Sequence, residues 1–278
     1  MSIMGEARLV RLLGPVDAVS DMVPLPISGL RRKAVLAVLA LHPGGIVSSD
    51  RLADAVWGGA APATAVNTLQ RHMSYLRRMF GDRTAILACQ PGYLLNLGPD
   101  ATDVAVARRL IAQGTRCADP ERRASTLRAA LGLWRDRPLI DVAGVAWLDA
   151  QADHIERLRW QAEQALIAAR FALGDHAHLV PDLERLAGAH PFDEQVHGWL
   201  MLALYRTGRQ ADALGVYRRL HQALADDLGI DPSPGLRELE TAILRQDRSL
   251  ETTQPVTRPL AMSAVCESPE SGDVSSPA

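Results

Sequence analysis

Polar and basic side chains recur at helical spacing between Thr64 and Phe80, and their types suit hydrogen bonding to DNA. At 100° per residue, Leu69, Met73, Leu76 and Phe80 share one face of a helix. The opposite face carries Asn67, Arg71, Ser74 and Arg78, with Thr64 and Tyr75 beside it. Arginine can pair with guanine edges and asparagine with adenine edges in a major groove about 12 Å wide. The pattern predicts either a DNA-recognition helix or an ordinary amphipathic helix with a solvated face.

Motifs of several enzyme classes are absent from the sequence. The phosphate-binding pattern GxxxxGK[ST] does not occur, because Ala34 follows the single lysine, Lys33. There is no GxSxG nucleophile elbow and no HExxH zinc site. Cys89, Cys117 and Cys266 are odd in number and far apart, so they form no disulfide framework and no CxxC metal site. We therefore expect no catalytic residues, no metal and no cofactor.

Length and composition narrow the class of protein further. The chain has 278 residues, enough for about two domains, and 47% of them are hydrophobic, so a sizeable core can be buried. A formal net charge of −2 excludes a uniformly basic nucleic-acid coat but allows a local basic patch. No run reaches the ~18 apolar residues of a membrane span, and the first residues lack a signal-peptide pattern. These features predict a cytoplasmic protein with no membrane partner.

The sequence divides into three blocks. Residues 1–100 carry a net positive charge, whereas residues 101–250 and 251–278 each carry a net negative charge. The third block is rich in Ser, Pro and Thr and poor in large apolar residues, so it cannot offset the entropy cost of ordering. We expect a disordered tail over 251–278, and we expect the chain after Arg248 to be dispensable for DNA binding.

Residues 1–100 are predicted to form strands, three helices and a hairpin. The apolar run from Leu9 to Leu13 predicts a strand, and the proline-containing segment 23–26 predicts an edge strand. Helices are predicted over about 30–41, from Ser48 or Ser49 to Trp57, and from Pro62 to Phe80. A Pro-Gly turn between two short apolar runs then predicts a hairpin over 86–95. This order is typical of a winged helix-turn-helix, an α+β domain.

Helices are predicted throughout residues 101–250, and part of this block repeats. Two degenerate helices are expected over 103–118 and 119–134, and a last one after Pro234. Seven residues recur after 34 positions, which is the tetratricopeptide period. The matched pairs are Leu166 with Leu200, Ala169 with Ala203, Phe171 with Tyr205, Gly174 with Gly208, Ala177 with Ala211, Arg185 with Arg219, and Leu186 with Leu220. The chain is therefore predicted to be mainly α, with an all-α tetratricopeptide-like repeat domain whose concave surface binds partners.

Together these segments resemble a known family of bacterial regulators. The DNA-binding domain of the Streptomyces antibiotic regulatory proteins, of the OmpR-like winged-helix type, is similar to LRRKAVLAVLALHPGGIVSSDRLADAVWG, TAVNTLQRHMSYLRRMFG and QPGYLLNL. The bacterial transcriptional activation domain of that family is similar to WLDAQADHIERLR, LMLALYRTGRQADALGVYRRL and LGIDPSPGLRELE. The resemblance extends from about Arg8 to Gln246.

The resemblance implies a function. It implies a sequence-specific transcriptional activator of an antibiotic or secondary-metabolite gene cluster. The expected partners are direct repeats of double-stranded DNA, bound by a tandem homodimer, and RNA polymerase holoenzyme with its sigma factor. A nucleoid-associated location follows from these partners. Since no receiver domain precedes the winged helix, we expect no control by aspartate phosphorylation.

The resemblance also implies which residues contact DNA. The recognition helix is expected to use Thr64, Asn67, Thr68, Gln70, Arg71, Ser74, Arg77 and Arg78, and the wing is expected to use Gln90, Gly92 and Tyr93. Val66 departs from the family pattern, because relatives often have arginine there. Gln90 stands in a wing that lacks the usual arginine for the minor groove or a phosphate. Arg31, Arg32 and Lys33 form a basic cluster that either touches DNA phosphates or is solvated.

Two other functions fit the same sequence. A repressor or a metabolite-responsive co-regulator would carry no distinguishing motif, because activation leaves none. A protein-interaction scaffold could use the helical repeats, with the winged helix docking on another protein. Salt separates the scaffold from a DNA-binding protein, because arginine–phosphate contacts weaken steeply as salt rises.

Overall fold

The computed structural model of the chain describes residues 8–21 and 23–251. A small winged helix-turn-helix region with two three-stranded sheets precedes an all-helical domain, which confirms the predicted fold class. The predicted tail over 251–278 lies outside the described residues, apart from Glu251.

Three short strands form an antiparallel sheet at the start of the described chain. β1 (Arg8–Arg11) pairs with β2 (Asp17–Ser20), which pairs with β3 (Val23–Leu25). β1 ends before the predicted limit, because the N–H groups of Leu12 and Leu13 donate to a carboxylate of the helical domain instead. β2 is not predicted from the sequence, because four residues around one Ala-Val pair give too short an alternating pattern.

Three helices follow the first sheet. They are α1 (Leu30–Ala40), α2 (Ser49–Trp57) and α3 (Ala65–Met79). Ser48 caps α2, because its hydroxyl oxygen accepts a hydrogen bond from the Arg51 N–H at 3.2 Å. α2 and α3 form the predicted helix-turn-helix.

The third helix begins later than predicted. A 3-10 turn over Gly58–Ala60 follows α2, and Pro62 lies in the next turn, where its carbonyl accepts a hydrogen bond from the Ala65 N–H at 2.8 Å. α3 therefore starts at Ala65, with Thr64 as its N-cap residue, rather than at Pro62.

A second antiparallel sheet forms the wing. β5 (Ile86–Cys89) and β6 (Gly92–Leu95) make the predicted hairpin, and β4 (Val47–Ser48) pairs with the other edge of β6. Gly92 is buried where β6 meets β4, and a Cβ there would lie 2.6 Å from the Cα of Ser48. Glycine is thus required for this close pairing, which fixes the base of the wing against the start of α2.

Helices fill the second domain as predicted. They are α4 (Asp103–Arg116), α5 (Pro120–Leu131), α6 (Ala146–Ala172), α7 (His176–Ala189), α8 (Glu194–Arg206), α9 (Gln210–Ala223) and α10 (Pro234–Leu244). Short helical turns cover Ile140–Val142, Leu224–Leu228 and Arg248–Glu251. Helices adjacent in sequence pack against each other, as in a solenoid of hairpins.

The 34-residue repeat corresponds to two helix pairs, α6 with α7 and α8 with α9. Gly174 and Gly208 occupy equivalent turns, with φ of 74° and 78°. Ala169 and Ala203 are both fully buried. The matched residues therefore mark matched positions in the fold.

The folded domain extends through Leu250. This residue is 7% exposed and belongs to the core around α8 and α9. Its carbonyl accepts a hydrogen bond from the Arg206 Nε at 2.7 Å. Leu250 is therefore part of the fold, whereas the dispensability of the chain after Arg248 for DNA binding stays a prediction.

One hydrophobic core crosses the predicted domain boundary at residue 100. Val10 and Leu36 of the winged helix region and Leu148 and Ile155 of α6 belong to the same buried cluster. Further along α6, Ile167 belongs to the core of the repeats. α6 therefore contributes to both cores and joins the two parts of the chain.

Polar contacts fasten the loop over residues 12–16 to the helical domain. Asp103, which is 2% exposed, accepts hydrogen bonds from two backbone N–H groups of this loop. The carboxylate of Asp141 accepts a third, from Val16 N–H at 2.8 Å. The N–H groups of Arg135 and Leu139 donate to carbonyls of the same loop at 2.8 to 3.1 Å.

Candidate nucleic-acid interface

The apolar face of α3 anchors the helix in the core. Leu69, Met73 and Leu76 are at most 1% exposed, and Phe80, just past the helix, is 4% exposed. These are the residues that the periodicity places on one face, so the predicted orientation of the helix is confirmed. The polar face is consequently directed away from the protein.

The polar face of α3 forms a shallow open groove. Its lining residues are Asn67, Gln70, Arg71, Ser74, Tyr75 and Arg78. All of them except Tyr75 are exposed. Tyr75 is predicted to lie beside this face but is not among the predicted site residues. Its spacing of four residues from Arg71, about 40° around the helix, is the signal that could have assigned it.

Hydrogen bonds within α3 hold several of these side chains. An Arg71 Nη donates to the hydroxyl oxygen of Thr68 at 3.2 Å, and the Ser74 hydroxyl donates to the carbonyl of Gln70 at 3.0 Å. Thr64, at the N-cap, is exposed and makes no side-chain cap. Arg71 is thus oriented along the exposed face with further N–H donors left for a ligand.

Arg77 has a different environment from the other predicted contacts. It is half-buried, and its Nε donates to the carbonyl of Ile86 at 2.7 Å. This bond joins α3 to β5 of the wing. Arg77 therefore fixes the angle between the helix and the wing, whereas Arg78, the next residue, is exposed on the groove.

The wing residues differ in exposure. Gln90 is exposed at the tip, and Tyr93 is half-buried against the core. Gly92 is buried against β4. The DNA contact at Gly92 stays a prediction, and the structure shows this residue in the pairing of β6 with β4. Its role is to let β6 approach β4.

The basic cluster at the start of α1 is divided among three partners. The Arg32 guanidinium lies 4.1 Å from the ring centre of Tyr75, and Arg31 lies 5.6 Å from that of Trp57. Lys33 forms an ion pair with Asp141 of the helical domain. Lys33 is half-buried and contacts another part of the chain, so it is not a freely solvated side chain, and its contact with a DNA phosphate stays a prediction. Arg32 instead extends the basic surface beside α3.

Protonation of His72 adds little charge to this surface. Burial lowers the pKa of His72, and the charges of Arg32 and Arg71 lower it further. His72 is consequently neutral at pH 7. The positive charge of the surface therefore comes from its arginines, which stay charged at any physiological pH.

Metal-binding clusters and membrane-spanning helices are absent from the described ranges, 8–21 and 23–251. These ranges contain no group of three or more His, Cys, Asp or Glu side chains arranged to hold a metal ion. No helix in these ranges is both long and apolar enough to cross a membrane.

Two protein-family descriptions match the chain. "Bacterial transcriptional activator domain" matches residues 102–244, and "Transcriptional regulatory protein, C terminal" matches residues 28–95. The second match contains α1, α2, α3 and the wing, and the first contains α4 to α10.

Individual relatives include regulatory proteins of two Streptomyces species. The chain is 32% identical over 259 residues to the regulatory protein DnrI of Streptomyces peucetius, covering 88% of this chain and 95% of DnrI. It is 36% identical over 248 residues to the regulatory protein AfsR of Streptomyces griseus, covering 88% of this chain and 25% of AfsR. The chain thus spans a quarter of AfsR and nearly all of DnrI.

A solved structure has a similar fold. "Mycobacterium tuberculosis EmbR in complex with low affinity phosphopeptide" superposes with a TM-score of 0.82 at 33% identity. The superposition covers 89% of this chain and 69% of that chain. The similarity therefore includes the winged helix region and the helical domain together.

Proposed function

This chain belongs to the Streptomyces antibiotic regulatory protein family of transcriptional regulators, and from that premise we propose that it binds double-stranded DNA through α3 and activates transcription. The observation that carries the proposal is the exposed polar face of α3. Asn67, Gln70, Arg71 and Arg78 lie together on a helix whose other face is buried. Such a face matches the donors and acceptors of a major groove.

Arg71 is proposed to read bases, and Arg78 is proposed to bind a phosphate. Arg71 lies at the middle of the exposed face and retains free donors beside its bond to Thr68. Arg78 lies almost two turns further along, at the C-terminal end of α3. A recognition helix contacts base edges with its N-terminal residues, which favours this division of roles.

The test uses the full chain and a duplex selected by it from a random-sequence library. We expect Arg71→Ala to weaken binding by about five- to 150-fold and to relax specificity at one base pair. Arg78→Ala should weaken binding to all sequences alike and reduce the salt slope by about 1. Arg218→Ala, an exposed arginine on α9, is the matched control and should bind as the unmodified protein does.

Two results would contradict the proposal. The library could yield no enriched sequence, in which case the scaffold function would gain support. Alternatively, Arg71→Ala could bind as tightly as Arg218→Ala while both remain folded. Either result would show that the exposed face of α3 does not recognise DNA.

The finer proposal is an activator of a secondary-metabolite gene cluster, acting at the nucleoid. We propose that two copies bind direct repeats side by side and that the helical repeats engage RNA polymerase and its sigma factor. Direct repeats place two winged helices on one face of the duplex when their centres are about 10–10.5 base pairs apart, or a multiple of that spacing. Inserting about five base pairs between the repeats should then abolish cooperative binding.

The effect of the chain on transcript yield distinguishes an activator from a repressor. In a reaction of purified RNA polymerase holoenzyme with a promoter containing the selected repeats, the full chain should raise transcript yield. A fall in yield would instead support a repressor. No catalytic step is proposed for the chain itself.

A further inference from the structure

Val66 is an exposed apolar residue within a polar surface. It lies in the first turn of α3 and is 50% exposed. It is the one large apolar side chain of this helix, all of which the structure describes, that is exposed to this extent. Its neighbour Ala65 is 6% exposed, so burial of Ala65 fixes the rotation of this helical turn and leaves Val66 directed to solvent.

The position of Val66 gives it access to the proposed DNA groove. At 100° per residue, Val66 lies about 40° around the helix from Gln70 and one residue before Asn67. Both of these neighbours are exposed and line the groove of α3. The first turn of a recognition helix is the part that approaches the base edges.

Local structure gives no other reason for valine at this position. Valine is a weaker helix former than alanine, and an exposed valine gains little from packing. Polar residues occupy the remaining exposed positions of the helix, including Asn67 and Arg71. A branched apolar side chain is therefore best explained by a ligand that offers an apolar group.

We propose that Val66 contacts the C5-methyl group of a thymine and makes one position of the DNA site specific for thymine. The proposal rests on the proposed DNA binding by α3. Thymine is the base that presents a methyl group in the major groove. Cytosine lacks this methyl group, so a cytosine at the same position would lose the apolar contact. Val66 thus discriminates through the apolar contact with the methyl group.

The experiment removes the methyl group from the DNA and shortens the side chain in the protein. The probe is the duplex selected from a random-sequence library by the full chain. Each thymine in turn is replaced by deoxyuridine, which lacks only the methyl group. Deoxyuridine at one thymine should weaken binding by the unmodified protein by about fourfold, the effect of one buried methyl group.

The Val66→Ala variant should bind the thymine and deoxyuridine duplexes equally, because the side chain that meets the methyl group is gone. Val23→Ala is the matched control. Val23 is 62% exposed on β3, outside the groove of α3, so this variant should keep the fourfold preference for thymine. Circular dichroism melts should show that both variants are folded, because neither valine is buried.

The outcomes distinguish this inference from the proposed function. If the library yields an enriched sequence but no thymine is sensitive to loss of its methyl group, the role of Val66 is refuted and DNA recognition stands. The role is also refuted if Val66→Ala keeps the preference of the unmodified protein. If no sequence is enriched, both proposals fail together.

Discussion

Substitution of Asp103 should loosen the contact between the winged helix region and the helical domain. One carboxylate oxygen of Asp103 accepts the Leu12 N–H at 2.7 Å, and the other accepts the Leu13 N–H at 3.0 Å. An Arg135 Nη lies 3.9 Å from the second oxygen. The side chain of Asp103 is only 3% exposed. Water therefore cannot replace these hydrogen bonds when the carboxylate is substituted.

The number of unpaired N–H groups determines the loss of unfolding free energy expected for two variants. Asp103→Asn keeps one acceptor but directs an NH₂ group at the second backbone N–H, which should cost about 1–3 kcal/mol of unfolding free energy. Asp103→Ala leaves both N–H groups unpaired, which should cost about 2–6 kcal/mol. The order of the two variants is therefore part of the prediction.

The pH dependence tests the same contact in another way. Burial raises the pKa of Asp103 from 3.8 to about 6, although both backbone hydrogen bonds and Arg135 act to lower it. Because the pKa in the folded state is above that in the unfolded state, the folded state binds the proton more tightly. Protonation of Asp103 therefore increases the free energy of unfolding as pH falls through 6. Linkage gives an increase of about 1.4 kcal/mol between pH 7.5 and pH 5.

Urea denaturation of the full chain, followed by circular dichroism between pH 5 and pH 7.5, provides the measurement. His72 and His176 have lowered pKa values through burial, so they destabilise the fold as pH falls. This opposing effect is present in the variant too and cancels in the difference. The difference between the unmodified protein and Asp103→Asn should grow toward pH 5. An unchanged urea midpoint, or a difference independent of pH, would refute the reasoning.

Three further predictions concern the edges of the two domains. A chain ending at Ser249 should lose about 1.5–3 kcal/mol of stability relative to one ending at Glu251, because it lacks the buried Leu250; equal thermal melts would contradict this. Gly92→Ala should cost at least about 1–3 kcal/mol, because its Cβ would lie 2.6 Å from the Ser48 Cα, and hydrogen exchange should be faster in the wing than in α9. Residues 1–100 alone should melt at a lower temperature than the full chain, since their core is completed by α6; equal melting temperatures would show independent folding.

Local periodicity was sufficient to predict α3 and its orientation. Leu69, Met73 and Leu76 repeat at helical spacing, and burial of this stripe determines which residues are exposed. The 34-residue repeat likewise placed Gly174 and Gly208 in equivalent turns. These features depend on residues close in sequence or on an exact internal match, so a single sequence contains the information.

Features that depend on distant residues could not be predicted. The ion pair of Lys33 has its partner at Asp141, and nothing near Lys33 distinguishes it from the other basic residues of the cluster. The same applies to Asp103, whose hydrogen-bond donors come from a loop about ninety residues earlier. Gly92 reads as an ordinary turn glycine until β4 is placed against it. The sequence therefore predicted the exposed surface of the candidate site better than the contacts that support it.

The length of α6 fixes the distance between the two hydrophobic cores. Its 27 residues correspond to about 40 Å at 1.5 Å per residue, without a hinge between the winged helix core and the core of the repeats. A flexible linker would let the last repeats sample many positions relative to the winged helix region. A continuous helix fixed at both ends instead sets that distance and rotation in advance. Inserting or deleting residues in α6 would therefore rotate the last repeats relative to α3, by about 100° for each residue.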